Sequence, residues 1–284
     1  MNRLLVLQSD FGLSDGAVAA MQGVALSVDP DLKIYDLTHD IPPFDIYEAS
    51  YRLLQAVPFW PEGSVFVSVV DPGVGSARKS CVARTSKGQY IVTPDNGSLS
   101  HLDKVIGIAE IREISEAVGR RQGSRYSNTF HGRDIFAYTG AQLAAGLLKY
   151  EDVGPAYDVP DMVRIDIPEA SFEDGMITGT IETLDVRFGS LWTNITAQQF
   201  AQLNLSYGDL IDLSIWNGER KVHRSFMTWA RTFNDVEPGE SLVYVNSMNH
   251  IAVAINQGSF AGAYHIGTRG GWKITIKAAS NREK

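Results

Sequence analysis

The stretch VFVSVVDPGVGSARKS, Val65 to Ser80, decides the fold. Its first half is a near-continuous apolar run rich in β-branched residues and bounded by turn-formers, the pattern of a strand buried on both faces. Strands of that kind belong to parallel sheets covered by helices. The run stops at Asp71, and a Pro-Gly turn, a second glycine and Arg78 follow. In an open parallel sheet the carboxyl ends of the strands line the crevice where ligands bind, so a carboxylate at this position is well placed for chemistry. An aspartate there often does no more than organise its own turn, and the rest of the chain has to decide between the two readings.

Working outward, strand and helix patterns alternate through the first half. RLLVLQ ends in SDFGLSDG, and AVAAMQGVALSV then carries small and apolar residues at helical spacing. KIYDL reads as a second strand, THDIPPFD as a loop and IYEASYRLLQAV as a helix. QYIVTPDNG supplies another strand with a turn, and RDIFAYTGAQLAAGLL another helix. Past about residue 165 the pattern changes to short strands separated by Gly, Asn and Asp turns: MITGTIETLD, SLWTNI, LIDLSI, KVHRSFM, SLVYVN, HIAVAI and WKITIK. The expected organisation is α/β: residues 1–165 form a mostly parallel sheet covered by helices, and residues 166–284 a smaller all-β, barrel-like domain. The Pro- and Asp-rich segment YEDVGPAYDVPDMVRIDIPEAS reads as the linker.

Composition narrows the function. With 284 residues, 44% hydrophobic and 20% charged, the chain can bury a core in each of two domains. A net charge of −8 argues against nucleic acid or an anionic membrane as partner and favours a small molecule. The single cysteine, Cys81, excludes an intrachain disulfide and points to a reducing, cytoplasmic setting. LLVLQ is too short for the apolar region of a signal peptide, and no stretch approaches membrane-span length. Of six histidines none pairs with another at metal-ligand spacing, so no metal is expected.

Three N-terminal segments repeat one layout, a strand followed by an acidic or amide residue and glycine: LVLQSDFG, VSVVDPGVG and YIVTPDNG. In a parallel sheet these turns share one edge, so Asp10, Asp71 and Asn96 can converge. Asp10 is suited to a ribose diol, whose two hydroxyls match two carboxylate oxygens. A carboxylate that merely favours a helix N-terminus is the competing reading. A fourth segment, NTFHGRDIFA, offers His131 beside a glycine, although a lone loop histidine is more often a surface residue.

Taken in order, SDFG…DG, HDIPPFD, VVDPGVGSAR, PDNG, TFHGRDIF, DVRFGSLWTN and YVNS closely resemble the S-adenosyl-L-methionine hydroxide adenosyltransferases, hydrolase relatives of fluorinase and chlorinase, over nearly the whole chain. The resemblance implies cleavage of S-adenosylmethionine by water at C5′ to adenosine and methionine, with no cofactor. It also implies a homotrimer with active sites at the subunit interfaces. It maps the residues around the attacking water onto Asp71, Arg78 and His131, and leaves open whether Asp71 or His131 takes the proton. By the same resemblance Asp10 meets the ribose, Asp15 is a nearby acidic position, and Phe44 sets an aromatic ring against the nucleoside; Asn96, convergent with Asp10 and Asp71, is a further substrate-binding candidate. Asp185, Phe188, Ser190 and Ser247 then face the methionine and adenine groups. Two departures fall in this last set: relatives commonly have Asn where this chain has Ser190, and Asn-Ser-x-Gly where it has Asn246-Ser247-Met248-Asn249. Two other functions stay in view, a halide-using adenosyltransferase and a non-catalytic S-adenosylmethionine or adenosine binder. The halide-using relatives carry tyrosine at the Asp71 position, where a carboxylate would repel a halide.

Overall fold

The computed structural model describes residues 3–279. The chain divides into two compact units, Met1–Ile167 and Pro168–Lys284.

The first unit holds a seven-stranded sheet in the order β2-β1-β3-β5-β4-β6-β7. Its strands are β1 (Leu4–Ser9), β2 (Lys33–Thr38), β3 (Val65–Val69), β4 (Ser80–Thr85), β5 (Tyr90–Pro94), β6 (Ile108–Glu113) and β7 (Ala156–Tyr157). β1 pairs in parallel with β2 and β3, and β3 in parallel with β5. The sheet is mixed rather than mostly parallel, because β4 pairs antiparallel with both β5 and β6, and β6 with β7. The physical reason lies in the turn between β4 and β5: Thr85 and Gln89 are bonded across it (N···O 2.9 Å), and so short a connection can only reverse the chain.

Helices α1 (Ala17–Val28), α2 (Ile46–Ala56), α3 (Ser100–Val105), α4 (Glu116–Gly119) and α5 (Tyr138–Ala145) complete the unit. One apolar core joins Leu5, Leu7, Val65, Val67 and Val92 of the sheet to Met21 and Ala25 of α1 and to Phe136, Ala141 and Ala144 around α5. The helix approaches so closely that a Cβ on Gly140 would lie 2.4 Å from Val67. Burial of such side chains stabilises by about 1.5–3 kcal/mol each. The segment expected as a linker is instead fastened to this unit through residue 167. Tyr150 and Met162 are buried, Val163 N donates to Asp95 (3.0 Å), and Arg164 Nε donates to Asp103 (3.0 Å).

The second unit is a closed barrel. Its strands are β8 (Ser171–Glu173), β9 (Met176–Asp185), β10 (Ser190–Thr196), β11 (Leu210–Asn217), β12 (Arg220–Trp229), β13 (Ser241–Val245), β14 (His250–Ile255) and β15 (Trp272–Ala278). They pair as β10-β14-β13-β12-β11-β15-β9-β8, and the further pairing of β10 with β9 closes a ring of seven, with β8 appended to β9. Ile181, Leu191, Ile195, Leu213, Ile215, Val253 and Ile274 fill the interior, and Phe260 of the short helix α6 (Phe260–Tyr264) packs against them. Alternation of side chains between the two faces of each strand produces this inside and outside. No helix among the described residues is long and apolar enough to cross a membrane.

Candidate active site

The parallel strands β1, β3 and β5 end on one edge, which carries Asp10, Asp71 and Asn96 as the repeated layout implied. β4 runs antiparallel and therefore begins on that same edge. The loop from Asp71 to Lys79 thus leaves the sheet after β3 and re-enters beside its exit. β5 braces both of the loop's ends: Asn96 Nδ2 donates to Val70 O (2.9 Å), and Asp95 N donates to Lys79 O (2.9 Å).

This arrangement brings Arg78 back onto Asp71. Arg78 Nε donates to Asp71 Oδ1 (2.9 Å) and Oδ2 (3.1 Å), and Nη2 donates to Oδ2 as well. Nη1 donates to Ser80 Oγ (2.7 Å), and the guanidinium lies 5.3 Å from the centre of the Phe136 ring. Arg78 Nη2 is also 3.0 Å from His131 Nδ1. A carboxylate, a guanidinium and an imidazole therefore form one bonded line. His131 stands at the start of a π-helical turn, Gly132–Ala137, that leads into α5; such turns often mark functional sites.

Asp71 and His131 line a cavity of about 300 Å³ with Asp10, Phe11, Pro43, Phe44, Val74, Thr129, Phe130 and Gly132. The loop between β2 and α2 closes over the turn after β1. Gly12 N donates to His39 O (2.8 Å), Ser9 Oγ lies 2.7 Å from His39 Nδ1, and Phe44 N donates to Asp10 Oδ2 (2.9 Å). Phe44 has φ +68° and is 71% exposed, so its ring stands at the cavity mouth.

The surroundings of His131 set its charge. Burial, then Arg78, then Arg120 push the His131 pKa below the ordinary histidine value, with Asp71 and Glu116 opposing. His131 is thereby held neutral, and its conjugate acid would face two guanidinium groups. Asp71, bonded to one guanidinium, faces the same cavity.

Not every expected residue reaches this cavity. Asn96 spends its amide on Val70, and its Oδ1 accepts from Ser98 Oγ (2.7 Å). Asp15 is exposed and accepts from Ala17 N (2.9 Å) at the start of α1. In the barrel, Asp185, Phe188 and Ser190 line a second cavity of about 630 Å³ with Arg187, Tyr244, Asn256 and Ser259. Phe188 is 67% exposed on the turn between β9 and β10. Gly189 permits that turn: it has φ +68°, and a Cβ there would lie 1.9 Å from Ser259 Oγ. Burial, the largest influence on Tyr244, raises its pKa, so it faces this cavity as a neutral phenol. Ser247 does not line the cavity; it is exposed in the turn after β13. Among the described residues no group of three or more His, Cys, Asp or Glu is disposed to hold a metal.

Sequence reasoning passed over Arg120, buried behind His131, and Tyr244 and Ser259 of the barrel cavity. In GRRQGSRYS only the fold turns the first arginine inward.

A carboxylate–guanidinium–imidazole line opening into a cavity at a sheet edge, and an aromatic-rimmed cavity in a closed barrel, define an enzyme of small molecules. The chain belongs to the SAM hydroxide adenosyltransferase family: its N-terminal-domain model matches residues 5–154 and its C-terminal-domain model residues 179–273. Similar proteins include the (R)-S-adenosyl-L-methionine hydrolases of Salinispora tropica, 37% identical over 89% of this chain and 90% of that one, and of Methanocaldococcus jannaschii, 36% identical over 77% and 76%. A fluorinase of an Actinoplanes species is 28% identical over 98% of both. A solved structure from Thermotoga maritima, described as an uncharacterized conserved protein, superposes with a TM-score of 0.88 at 32% identity over 96% of this chain and all of the other.

Proposed function

We propose that the protein hydrolyses S-adenosyl-L-methionine to adenosine and L-methionine. The observation that carries this reading is the bonded line Asp71–Arg78–His131 opening into the same cavity as Asp10. Water attacks C5′ opposite the sulfonium. The new C5′–O bond forms as the C5′–S bond breaks, and its electron pair goes to sulfur, giving the neutral thioether of methionine. The leaving group needs no proton, whereas the nucleophile gains by losing one. Asp71 accepts that proton and passes it to solvent. Arg78 supplies the positive field that favours hydroxide character in the attacking oxygen. His131, neutral, accepts from Arg78 Nη2, the nitrogen that also donates to Asp71. Asp10 holds the ribose diol.

The assembly is a homotrimer in which the barrel cavity of one subunit, with Asp185, Phe188 and Ser190, completes the nucleoside and methionine contacts of a neighbour's sheet-edge cavity. The prominent exposure of Phe44 and Phe188, each at a cavity rim, supports this. No cofactor takes part, and a chelator should leave the rate unchanged; loss restored by one divalent ion would refute that. Turnover in water bearing heavy oxygen tests the chemistry: one heavy oxygen should appear on the 5′-hydroxyl of adenosine. Adenine release or unlabelled adenosine would overturn it. The fluorinase likeness makes halide transfer the second reading, which the Asp71 charge opposes; a 5′-halogenated adenosine formed in chloride or fluoride would establish it.

A further inference from the structure

Directly behind His131 lies a second arginine that the reaction above does not use. Arg120 follows the short helix α4, and its side chain is only 3% exposed. Five groups hold it. Nε donates to Glu116 Oε2 (2.8 Å), and Nη1 points to the carbonyls of Ser124 and Ser127 (3.4 Å each). Nη2 donates to Asn128 Oδ1 (3.2 Å) and Glu116 Oε1 (3.3 Å), and lies 3.3 Å from His131 Nε2.

A count of hydrogens decides what these contacts mean. A guanidinium only donates, and a neutral imidazole has one lone pair to offer. Arg78 Nη2 has two hydrogens and two acceptors, Asp71 Oδ2 and His131 Nδ1. Arg120 Nη2 has two hydrogens and three groups within 3.3 Å, but the ring's one lone pair lies with the closer guanidinium, Arg78 at 3.0 Å, which leaves Asn128 and Glu116 to take both hydrogens. Its approach to Nε2 therefore sets a positive charge against the ring without using the lone pair. We infer that Arg120 is a positioning residue: it fixes the ring of His131 so that Nδ1 presents its lone pair to Arg78.

Protonation of His131 would remove that lone pair and put a cation between two others, pushing Arg78 off its alignment with Asp71. The charged groups facing the ring are Arg78 and Arg120, which disfavour its protonation, and Asp71 and Glu116, which favour it. Arg120 cannot swing aside to relieve the conflict, because Asn128 and two carbonyls hold it. The inference rests on the reading of Asp71, Arg78 and His131 as the water-activating unit.

The test combines nitrogen NMR of labelled histidine in the whole protein with the pH profile of hydrolysis, in wild type, Arg120→Gln and Glu116→Gln. In wild type Nδ1 should be unprotonated, Nε2 protonated, and the ring should titrate below the ordinary histidine range. In Arg120→Gln the midpoint should rise. Burial and Arg78 remain, so the midpoint should move toward the ordinary value without reaching it, and the fall of kcat on the acid side should shift to higher pH by the same amount as the NMR midpoint, with KM little changed. Glu116 is 56% exposed, so Glu116→Gln should fold even if Arg120→Gln does not. It removes an opposing negative charge and should lower the midpoint further. Opposite shifts in the two variants would not arise from general damage to the loop. A hydrogen on Nδ1 in wild type, or a His131 titration unmoved by either substitution, would overturn the inference. Failure of wild type to release adenosine would instead refute the hydrolase reading, and the NMR result would still stand by itself.

Discussion

Phe44 N donates to Asp10 Oδ2 at 2.9 Å, joining residues 34 apart in the chain and fixing one carboxylate oxygen before any ligand arrives. The other oxygen remains for a ligand, and the same bond holds Phe44 in its left-handed backbone conformation. On the proposed assignment of Asp10 to the ribose, orientation of the nucleoside depends on a contact between two loops.

Asp10→Asn should therefore act on binding. Losing a charge-assisted hydrogen bond costs about 1.5–3 kcal/mol, or roughly a tenfold to hundredfold rise in KM, with a smaller change in kcat. Steady-state kinetics measure this directly. A fall in kcat at constant KM would move Asp10 from the ribose to the reacting atoms.

Asp71→Asn, Arg78→Ala and His131→Ala should each lower kcat by about 10²–10⁴-fold, the span of a positioned proton-transfer group. Double and triple variants should fall little below the worst single one, because members of one unit are non-additive. If Asp71 only braces its Pro-Gly turn, a well-folded Asp71→Asn protein will turn over near normally, and the catalytic assignment fails.

Stability should decline on mild acidification. Burial, first among the causes, lowers the pKa of His131, His223 and His250. The unfolded chain takes up protons at these positions near the ordinary value of about 6.5, and the folded chain only at lower pH. The unfolded state thus binds more protons in that window, so stability falls as pH drops through about 6.5 and levels off below the folded values. Thermal melts at about pH 7.5 and 5.5 in one low-salt buffer should show the lower Tm at the acid end. An unchanged or higher Tm there would contradict the assignment of neutral, buried rings.

Mixing two inactive proteins tests the assembly. Subunits carrying Asp71→Asn and subunits carrying Phe188→Ala, refolded together, should recover part of the activity, since some sites would pair an intact sheet edge with an intact barrel. Verified mixed trimers with no recovery would mean that the two sets of residues do not serve one site across subunits.

Much of this was legible in the residues because strands announce themselves by composition and by what ends them. MITGTIETLD is strand β9 to the residue, and the Asp10 and Asp71 turns lie on one edge as their repeated layout implied. What was illegible depended on depth or on pairing. Nothing in TSKGQ distinguishes a hairpin inside a parallel sheet from a βα turn, so the reversal at β4 had to be seen. GRDIFA carries no local mark of π-helical geometry, which arises from packing. Asn96 has the composition of a ligand-binding residue, yet its partners are Val70 and Ser98. Arg120 resembles its neighbours Arg121 and Arg125 in sequence, and burial alone sets it apart.

The reversal at β4 bears on how such a site can change. A loop that leaves and re-enters one edge of a sheet, fastened at both ends by the strand between, can be exchanged or resized without altering the order of any strand. The segment from Asp71 to Lys79 is such a loop, and it carries Asp71 and Arg78, the two charges proposed to meet the nucleophile, whereas Asp10 and His131 are held elsewhere. On the proposed roles, choice of nucleophile and grip on the nucleoside are separable inheritances, and a new incoming group can be admitted by remodelling one surface segment while the substrate cradle is kept.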